Sequence, residues 1–310
     1  MTAIIGGLGA AILWAGATLA SSRSSRLIGS RVVLGWVMVV GLVIGLPIGL
    51  VSGVPTDLSP ASAGWLLLAG LCYAGGLFAA YTALTVGKVG IVAPVVATEG
   101  AVAAVIAVAL GDELGASAAI LLGLIVIGVV LSSIEPARPD VIAGDFEITA
   151  DAIEGPPVED AQAADAVPVH LEDTRKAVLF AVTAAVIFGV GLVAVGKAAV
   201  EVAPIWVAVS TRLVGLVVVV LPLVLQRRMV LTRAALPLVL IAGTGEIIGS
   251  TLSAWGASVN IAITAVLGSQ FAAIAAVLAF LLFGERLSRT QVLGVILIVA
   301  GVSALAAVSV

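Results

Sequence analysis

Two glutamates and one arginine stand in stretches of the chain that are otherwise apolar: Glu99, Glu246 and Arg212. A charge near the centre of a bilayer costs about 2.5–3.5 kcal/mol on insertion scales, so such a group is expected to face a cavity or an opposite charge. A carboxylate in that setting is a candidate proton carrier, or the counter-charge for a cationic solute. The competing reading is a buried Arg–Glu pair with a purely structural role. Arg212, eight residues after Pro204, could also extend its guanidinium toward the interface. Gln270 adds an uncharged polar group and Trp14 a large aromatic one at depth, with packing as the alternative for Trp14. Trp14, Glu99, Arg212, Glu246 and Gln270 are the candidate substrate-binding or translocation residues.

Other chemistries are poorly served. Gly191 to Ala198 resembles a phosphate-binding loop, yet it ends in Ala198 where Ser or Thr would hold Mg²⁺, and it closes an apolar helix instead of following a strand. Gly243-Thr244-Gly245-Glu246 resembles an intramembrane acid protease motif but offers Glu for Asp and no matching partner acid. No embedded His accompanies a Ser, and no Asp, His or Cys cluster has metal-ligand spacing. The chain is therefore expected to be no enzyme and to need no metal or other cofactor. Cys72, the single cysteine, lies inside an apolar run, which excludes a disulfide framework. His170, the single histidine, lies in a hydrophilic segment.

The elements that must position these residues follow from composition. With 62% hydrophobic and 10% charged residues, and a mean hydropathy of +1.29, the chain lies far from the soluble norm. Ten apolar runs are legible: Ala3–Ala20, Val32–Val51, Gly64–Val86, Gly90–Leu110, Ala116–Ile134, Ala177–Gly196, Pro204–Leu225, Ala235–Val259, Ile261–Phe283 and Gln291–Val308. Runs of ~18 or more apolar residues suit a membrane-crossing helix, and only a helix or a closed barrel satisfies its own backbone in hydrocarbon. These are too long for strands, and stretches such as Ala118–Leu131 lack the alternating polar face of a barrel. No Lys or Arg precedes the first run while Arg23 and Arg26 follow it, so it is expected to stay in the mature chain. The expected fold class is all-α, a polytopic membrane protein of ten transmembrane helices in two inverted five-helix repeats.

The repeat is read from the sequence itself. Lys88–Gly115 aligns with Asn260–Leu287 at an offset of 172, with nine of 28 positions identical, including Glu113 with Glu285. Thr98-Glu99 then fall on Gln270-Phe271, so the two halves place different polar groups at one depth. Five helices per copy is odd, so a tandem copy enters from the opposite side and the copies are inverted. The expected units are 1–134 (helices one to five), an acidic, Pro-containing, disordered linker at 135–176, and 177–310 (helices six to ten). The linker holds eleven acids against three bases, a formal charge of −8 that leaves the rest of the chain at +4 out of the total −4. With little apolar area to offset backbone ordering, it reads as a solvated tether. With the N-terminus outside, every loop Lys and Arg except Lys197 lies on the cytoplasmic side, so both termini are expected outside and the linker inside. Glycine spacings of one turn, as at Gly41, Gly45 and Gly49 or at Gly245 and Gly249, are expected to be packing devices. Trp65, Trp206 and Trp255, near run ends, are expected to be interfacial anchors.

The motif Ala93-Pro94 leading to Gly111-Asp112-Glu113-Leu114 and Gly123, and its counterpart Leu267 leading to Phe283-Gly284-Glu285-Arg286-Leu287-Ser288, Gln291 and Gly294, resemble the drug/metabolite transporter superfamily, specifically its EamA-type members with two EamA repeats. The first copy departs by carrying Asp112 for Gly and Leu114 for Arg. The resemblance implies a ten-helix fold around a central cavity, peripheral fifth and tenth helices, and alternating access for metabolites, amino acids or drugs. Many members are expected to keep both termini in the cytoplasm; the charge distribution of this chain points the other way, and that reading is kept. The expected function is thus a secondary transporter of the cell membrane, with a small-molecule substrate, the lipid bilayer and protons as coupling ion for partners, and no nucleic acid. The alternative is a non-transporting regulatory or structural membrane protein that docks partners through its acidic linker.

Overall fold

The structure, a computed structural model, describes residues 1–86, 95–133, 174–271, 273–275, 277–278 and 289–308. All but the last residues of the expected linker, His170 within it, and the Phe283–Ser288 turn with Glu285 lie outside the described residues. Every described element is helical. They are α1 (Thr2–Ile28), α2 (Ser30–Val51), α3 (Pro60–Val86), α4 (Glu99–Ala109), α5 (Ala116–Ser133), α6 (Thr174–Ala198), α7 (Pro204–Gly215), α8 (Leu221–Leu225), α9 (Leu236–Ala257), α10 (Ile261–Gly268) and α11 (Arg289–Val308). A π-helical segment, Leu216–Val220, joins α7 and α8 into one rod. Its cause is in the sequence: Pro222 has no N–H and crowds the carbonyl four residues back, so the turn before it widens. Gly29, at φ 85 and ψ 144, turns the chain between α1 and α2, a conformation that costs a side-chain-bearing residue about 1–3 kcal/mol.

Six helical stretches are long and apolar enough to cross a membrane: Thr2–Ser25, Ser30–Val51, Pro60–Ala80, Arg175–Ala198, Pro204–Leu225 and Leu236–Ala257. The other four apolar runs appear among the described residues as shorter helices. This is a polytopic, all-α integral membrane protein. Its size distribution is that of a protein in lipid. Large apolar side chains such as Phe78, Ile120, Leu179 and Ile241 are exposed, while the buried set is dominated by Ala, Gly and Val. Lipid tails are as apolar as Leu, so association rests on close backbone approach between small residues.

That approach explains the glycine stripes. Gly41, Gly45 and Gly49 of α2 face Arg212, Val209 and Trp206 of α7, which recur every three residues on the opposing helix. Gly245 and Gly249 of α9 receive the Leu13 carbonyl and the Trp14 indole of α1. At Gly6 a Cβ would stand 2.7 Å from the Gly256 Cα and from the Leu252 carbonyl oxygen, so α1 and α9 touch backbone to backbone.

The helix pairings map onto themselves when the first five apolar runs are exchanged for the second five. α1 packs along α9 as α6 packs along α3, α1 meets α10 as α6 meets α4, and α5 pairs with α11. α5 and α11 cross antiparallel, Gly128 against Gly294 and Gly301 against Ile125, beside α4 and α10. The loops α2–α3, α4–α5, α6–α7 and α9–α10 share one face, which also carries the start of α1, where the Thr264 hydroxyl donates to the Ala3 carbonyl at 3.3 Å. On that face Glu201 of the α6–α7 loop accepts hydrogen bonds from Ser59 and Ser62 at the start of α3. The Ser62 and Ser59 hydroxyls hold its carboxyl below the usual carboxylate range, so this contact strengthens folding above the unfolded-state pKa and is lost as pH falls through the folded one. Trp206, expected as a lipid anchor, donates its indole N–H to the Gly53 carbonyl at 2.8 Å, joining the two halves.

Adding a methyl at Gly6 meets immovable backbone, so Gly6→Ala is expected to destabilise by about 1–3 kcal/mol, seen as a lower thermal midpoint in detergent. Gly64→Ala, where nothing lies within 4 Å, is expected to leave it unchanged or raise it. Glu201→Gln should flatten the acid limb of the stability profile of the wild type.

Candidate functional site

The largest fully buried side chain among the described residues is that of Arg212. Gly41 on α2 makes the bay it occupies: a Cβ there would stand 3.0 Å from Nε and 3.3 Å from Cδ. Arg212 therefore does not reach for the interface; it is held at depth by partners. Its Nη2 donates to the Glu246 carboxylate at 3.2 Å, the Glu246 backbone carbonyl at 3.2 Å and the Ser250 hydroxyl at 2.9 Å. Its Cζ sits 5.3 Å from the centre of the Tyr73 ring, a cation–π contact that gains strength where water is excluded. The Tyr73 hydroxyl also hydrogen-bonds the Glu246 carboxylate. Glu246, at mid-length of α9, keeps its side chain 21% exposed while that of Arg212 is 1% exposed. Arg212, Glu246, Tyr73 and Ser250 thus form one neutralised network drawn from α7, α9 and α3.

Glu99 is placed differently. The fourth apolar run is not a continuous helix: Ala97 and Thr98 form a turn, and α4 begins at Glu99. The ninth run breaks at the equivalent point, where Ser269 and Gln270 form a turn after α10. The Thr98 hydroxyl donates to the Val95 carbonyl at 2.7 Å and the Ser269 hydroxyl to the Val266 carbonyl at 2.9 Å, so each turn is stitched by its own side chain. The two breaks meet: a Cβ on Gly100 would stand 2.6 Å from the Ser269 hydroxyl oxygen. The Glu99 carboxylate is near enough to Glu246 for their charges to interact, and among the described residues it has neither an ion pair nor a hydrogen bond.

Trp14 and Gln270 complete the constellation. The Trp14 ring meets the Phe271 ring edge to face at 6.3 Å and 86°. Its indole N–H lies against Gly249 of α9, next to Ser250, and has no acceptor among the described residues. Gln270 is buried, and its amide nitrogen also lacks a partner among the described residues. Two subclusters result, Arg212–Glu246–Tyr73–Ser250 and Trp14–Phe271–Gln270, joined through Gly249 and Ser250. Beside them, between α1 and α9, runs an apolar groove of about 420 Å³ lined by residues such as Gly16, Leu240 and Thr244; it holds none of the charged groups.

Chemically this is a site for holding charge. Glu246 offsets Arg212, which leaves Glu99 as the embedded carboxylate without a counter-charge among the described residues. Among the described residues no group of His, Cys, Asp and Glu is arranged to hold a metal ion. Tyr73 and Ser250 escaped the sequence reading. Ser250 was detectable, because it stands four residues after Glu246 and so shares its helix face; Tyr73 carries no such spacing signal.

Arg212→Met strands a buried carboxylate and is expected to cost about 3–5 kcal/mol, whereas Arg212→Met with Glu246→Leu removes both charges and should recover most of it. Unfolding in detergent followed by circular dichroism measures both. A double variant as unstable as the single one would show that the pair is not what holds these helices together.

Comparison with known proteins bears on this architecture. No curated protein matches the sequence. One solved structure, a crystal structure of a protein, is similar in fold, with a TM-score of 0.73 at 18% identity over 99% of this chain and 97% of that one. Residues 1–134 and 175–307 each match the EamA-like transporter family, so the matches fall on both halves and skip the acidic segment. The chain belongs to the EamA-like transporter family.

Proposed function

We propose that this chain is a secondary transporter of the cell membrane that moves a small metabolite, amino acid or drug-like solute by alternating access, coupled to protons through Glu99. The observation that carries the proposal is the unequal treatment of two embedded carboxylates. Glu246 is engaged by Arg212 and Tyr73, whereas Glu99 has no partner among the described residues and opens a half-helix at the crossing of two broken helices. A proton-coupled transporter needs a group that can gain and lose a cation while its surroundings stay intact, and of the two carboxylates Glu99 is the one without a partner among the described residues. Breaks of this kind, lodged within the protein, are how helical transporters present polar groups at depth.

Trp14 and Gln270 supply an aromatic wall and an amide to the solute, and Arg212 and Glu246 hold α7 and α9 in register around it. In this reading residues 1–134 and 177–310 are the two functional halves, 135–176 is the tether between them, and both termini face outward, in line with the loop charges.

The test is flux in proteoliposomes loaded with a metabolite extract, read by mass spectrometry and by a lumenal pH dye. Wild type is expected to move at least one solute together with a change in lumenal pH. Glu99→Gln should abolish the pH response of that flux, while Glu246→Gln lowers the amount of folded protein and leaves the pH response of the remainder in place. An unchanged pH response in Glu99→Gln would refute proton coupling at this residue. No flux of any solute by folded wild type would refute the transport reading.

A further inference from the structure

The face that carries the α2–α3, α4–α5, α6–α7 and α9–α10 loops is tied shut at one three-way junction. α4 ends in a Schellman turn: the Gly111 amide donates to the Val108 carbonyl at 3.0 Å and the Asp112 amide to the Ala107 carbonyl at 3.0 Å. Gly111, at φ 100, permits that turn, which is why glycine stands there. The turn fixes Asp112 above α6 and α10 at once. One carboxylate oxygen lies 3.5 Å from the Lys197 ammonium at the end of α6, and the other accepts the Ile261 amide, 3.1 Å away, at the first turn of α10. The neighbouring residues repeat the tie, since the Asn260 side chain donates to the Glu113 carbonyl at 3.4 Å while capping α10 through the Ile263 amide. Asp112 and Lys197 are part-buried, at 16% and 28% side-chain exposure, so their attraction is less screened than that of a surface pair.

Beneath the junction the helices close without a gap. At Gly196 a Cβ would stand 2.4 Å from the Ile261 side chain and 3.3 Å from Ala257, and Val193, one turn deeper on α6, is buried in the cluster that holds Ile4, Ala257 and Ile261. From the junction, α4 and α10 descend to the two breaks, eleven and eight residues away, or roughly 12–16 Å of helix. Glu99 lies at the lower end of one and Gln270 at the lower end of the other. The junction therefore clasps the outer ends of the two half-helices whose inner ends meet at the candidate site.

We propose that Asp112 is a latch: by holding Lys197 and the Ile261 amide together it keeps this face closed, and it must release them for the face to open. The proposal rests on the transporter reading for its purpose. The second half carries Gly284 where the first has Asp112, so this carboxylate belongs to one face only and biases the molecule toward closure there.

The experiment reads opening without requiring flux. In a Cys72→Ser background, Val193→Cys places a thiol under the junction, and a membrane-impermeant maleimide is applied from the face carrying the termini. Labelling is expected to be slow with Asp112 intact and at least about tenfold faster in Asp112→Ala, the lower end for loss of one charge-assisted hydrogen bond. Lys197→Met should give a smaller increase. Asp112→Lys with Lys197→Asp should restore part of the protection, because the swap keeps the pair and loses the amide contact. Two controls guard against general loosening: native Cys72, buried on α3, must stay unreactive in Asp112→Ala otherwise wild type, and Asp57→Ala on the same face must leave Val193→Cys protected. Unchanged labelling in Asp112→Ala overturns the latch, and so does labelling of Cys72 in parallel. Faster labelling of Val193→Cys in a protein that moves no solute would uphold the latch and refute the transport reading instead.

Discussion

A guanidinium carried into the interior of a membrane protein must be neutralised where it stands, and much of the arrangement around the site follows from that constraint on Arg212. An uncompensated charge at that depth costs several kcal/mol, and leaving one member of a buried pair alone costs as much again. The chain meets the demand with side chains from three helices: Glu246 and Ser250 from α9, Tyr73 from α3, and Arg212 itself from α7. The α2 glycines belong to the same solution, because a side chain at Gly41 would crowd the arginine shaft, with a Cβ 3.0 Å from Nε. The pair thus sets the spacing of four helices, and it does so while being spent. Its charges cancel, whereas Glu99 has no cation beside it among the described residues.

The second constraint is backbone satisfaction. Helices in hydrocarbon can break only where protein surrounds the break, and here two breaks, at Ala97–Thr98 and at Ser269–Gln270, are placed against each other. Each covers the other, and a serine or threonine hydroxyl returns to a local carbonyl in both. Because the pairings of α1 to α11 are nearly unchanged when the halves are exchanged, the breaks meet near the axis of that exchange. A single interrupted helix would have needed some other cover; the repeat supplies it.

How far the sequence discloses this depends on the kind of information. Run length and charge sufficed for the helical membrane class, and the offset of 172 for the duplication, because both follow from the solvent and from copying. The depth of Glu246 was legible since α9 is regular from Leu236 to Ala257. The place of Glu99 at a helix start was not, as the run around it looks continuous: the turn at Ala97–Thr98 uses neither Gly nor Pro, and the adjacent Gly100 packs against Ser269, a contact that a local reading does not contain. Tyr73 escaped for the same reason, being one more aromatic in an apolar helix until Arg212 is set beside it. Trp206 looked like a lipid anchor by its place near a run end, yet its N–H is spent on Gly53 across the halves; a position near the interface does not say which neighbour is there. Asp112 was visible only as a departure from the repeat pattern, and its meaning depends on Lys197 and Ile261, both distant in sequence.

That departure points to a general property of duplicated folds of this kind. Where the two copies agree, as at Ala103 and Ala275, both side chains are buried, and exchange of the halves is neutral at that position. Where they differ, the exchange is no longer neutral: Glu99 stands opposite Phe271, Thr98 opposite Gln270, and Asp112 opposite Gly284. A molecule symmetric at every position would have no preferred face and a site with the same groups on both walls. Of these three mismatches two lie at the break region, and the third places Asp112 at the outer ends of α4 and α10. The mismatches between the copies are therefore where the two faces can differ, while the matches are where exchange of the halves is neutral.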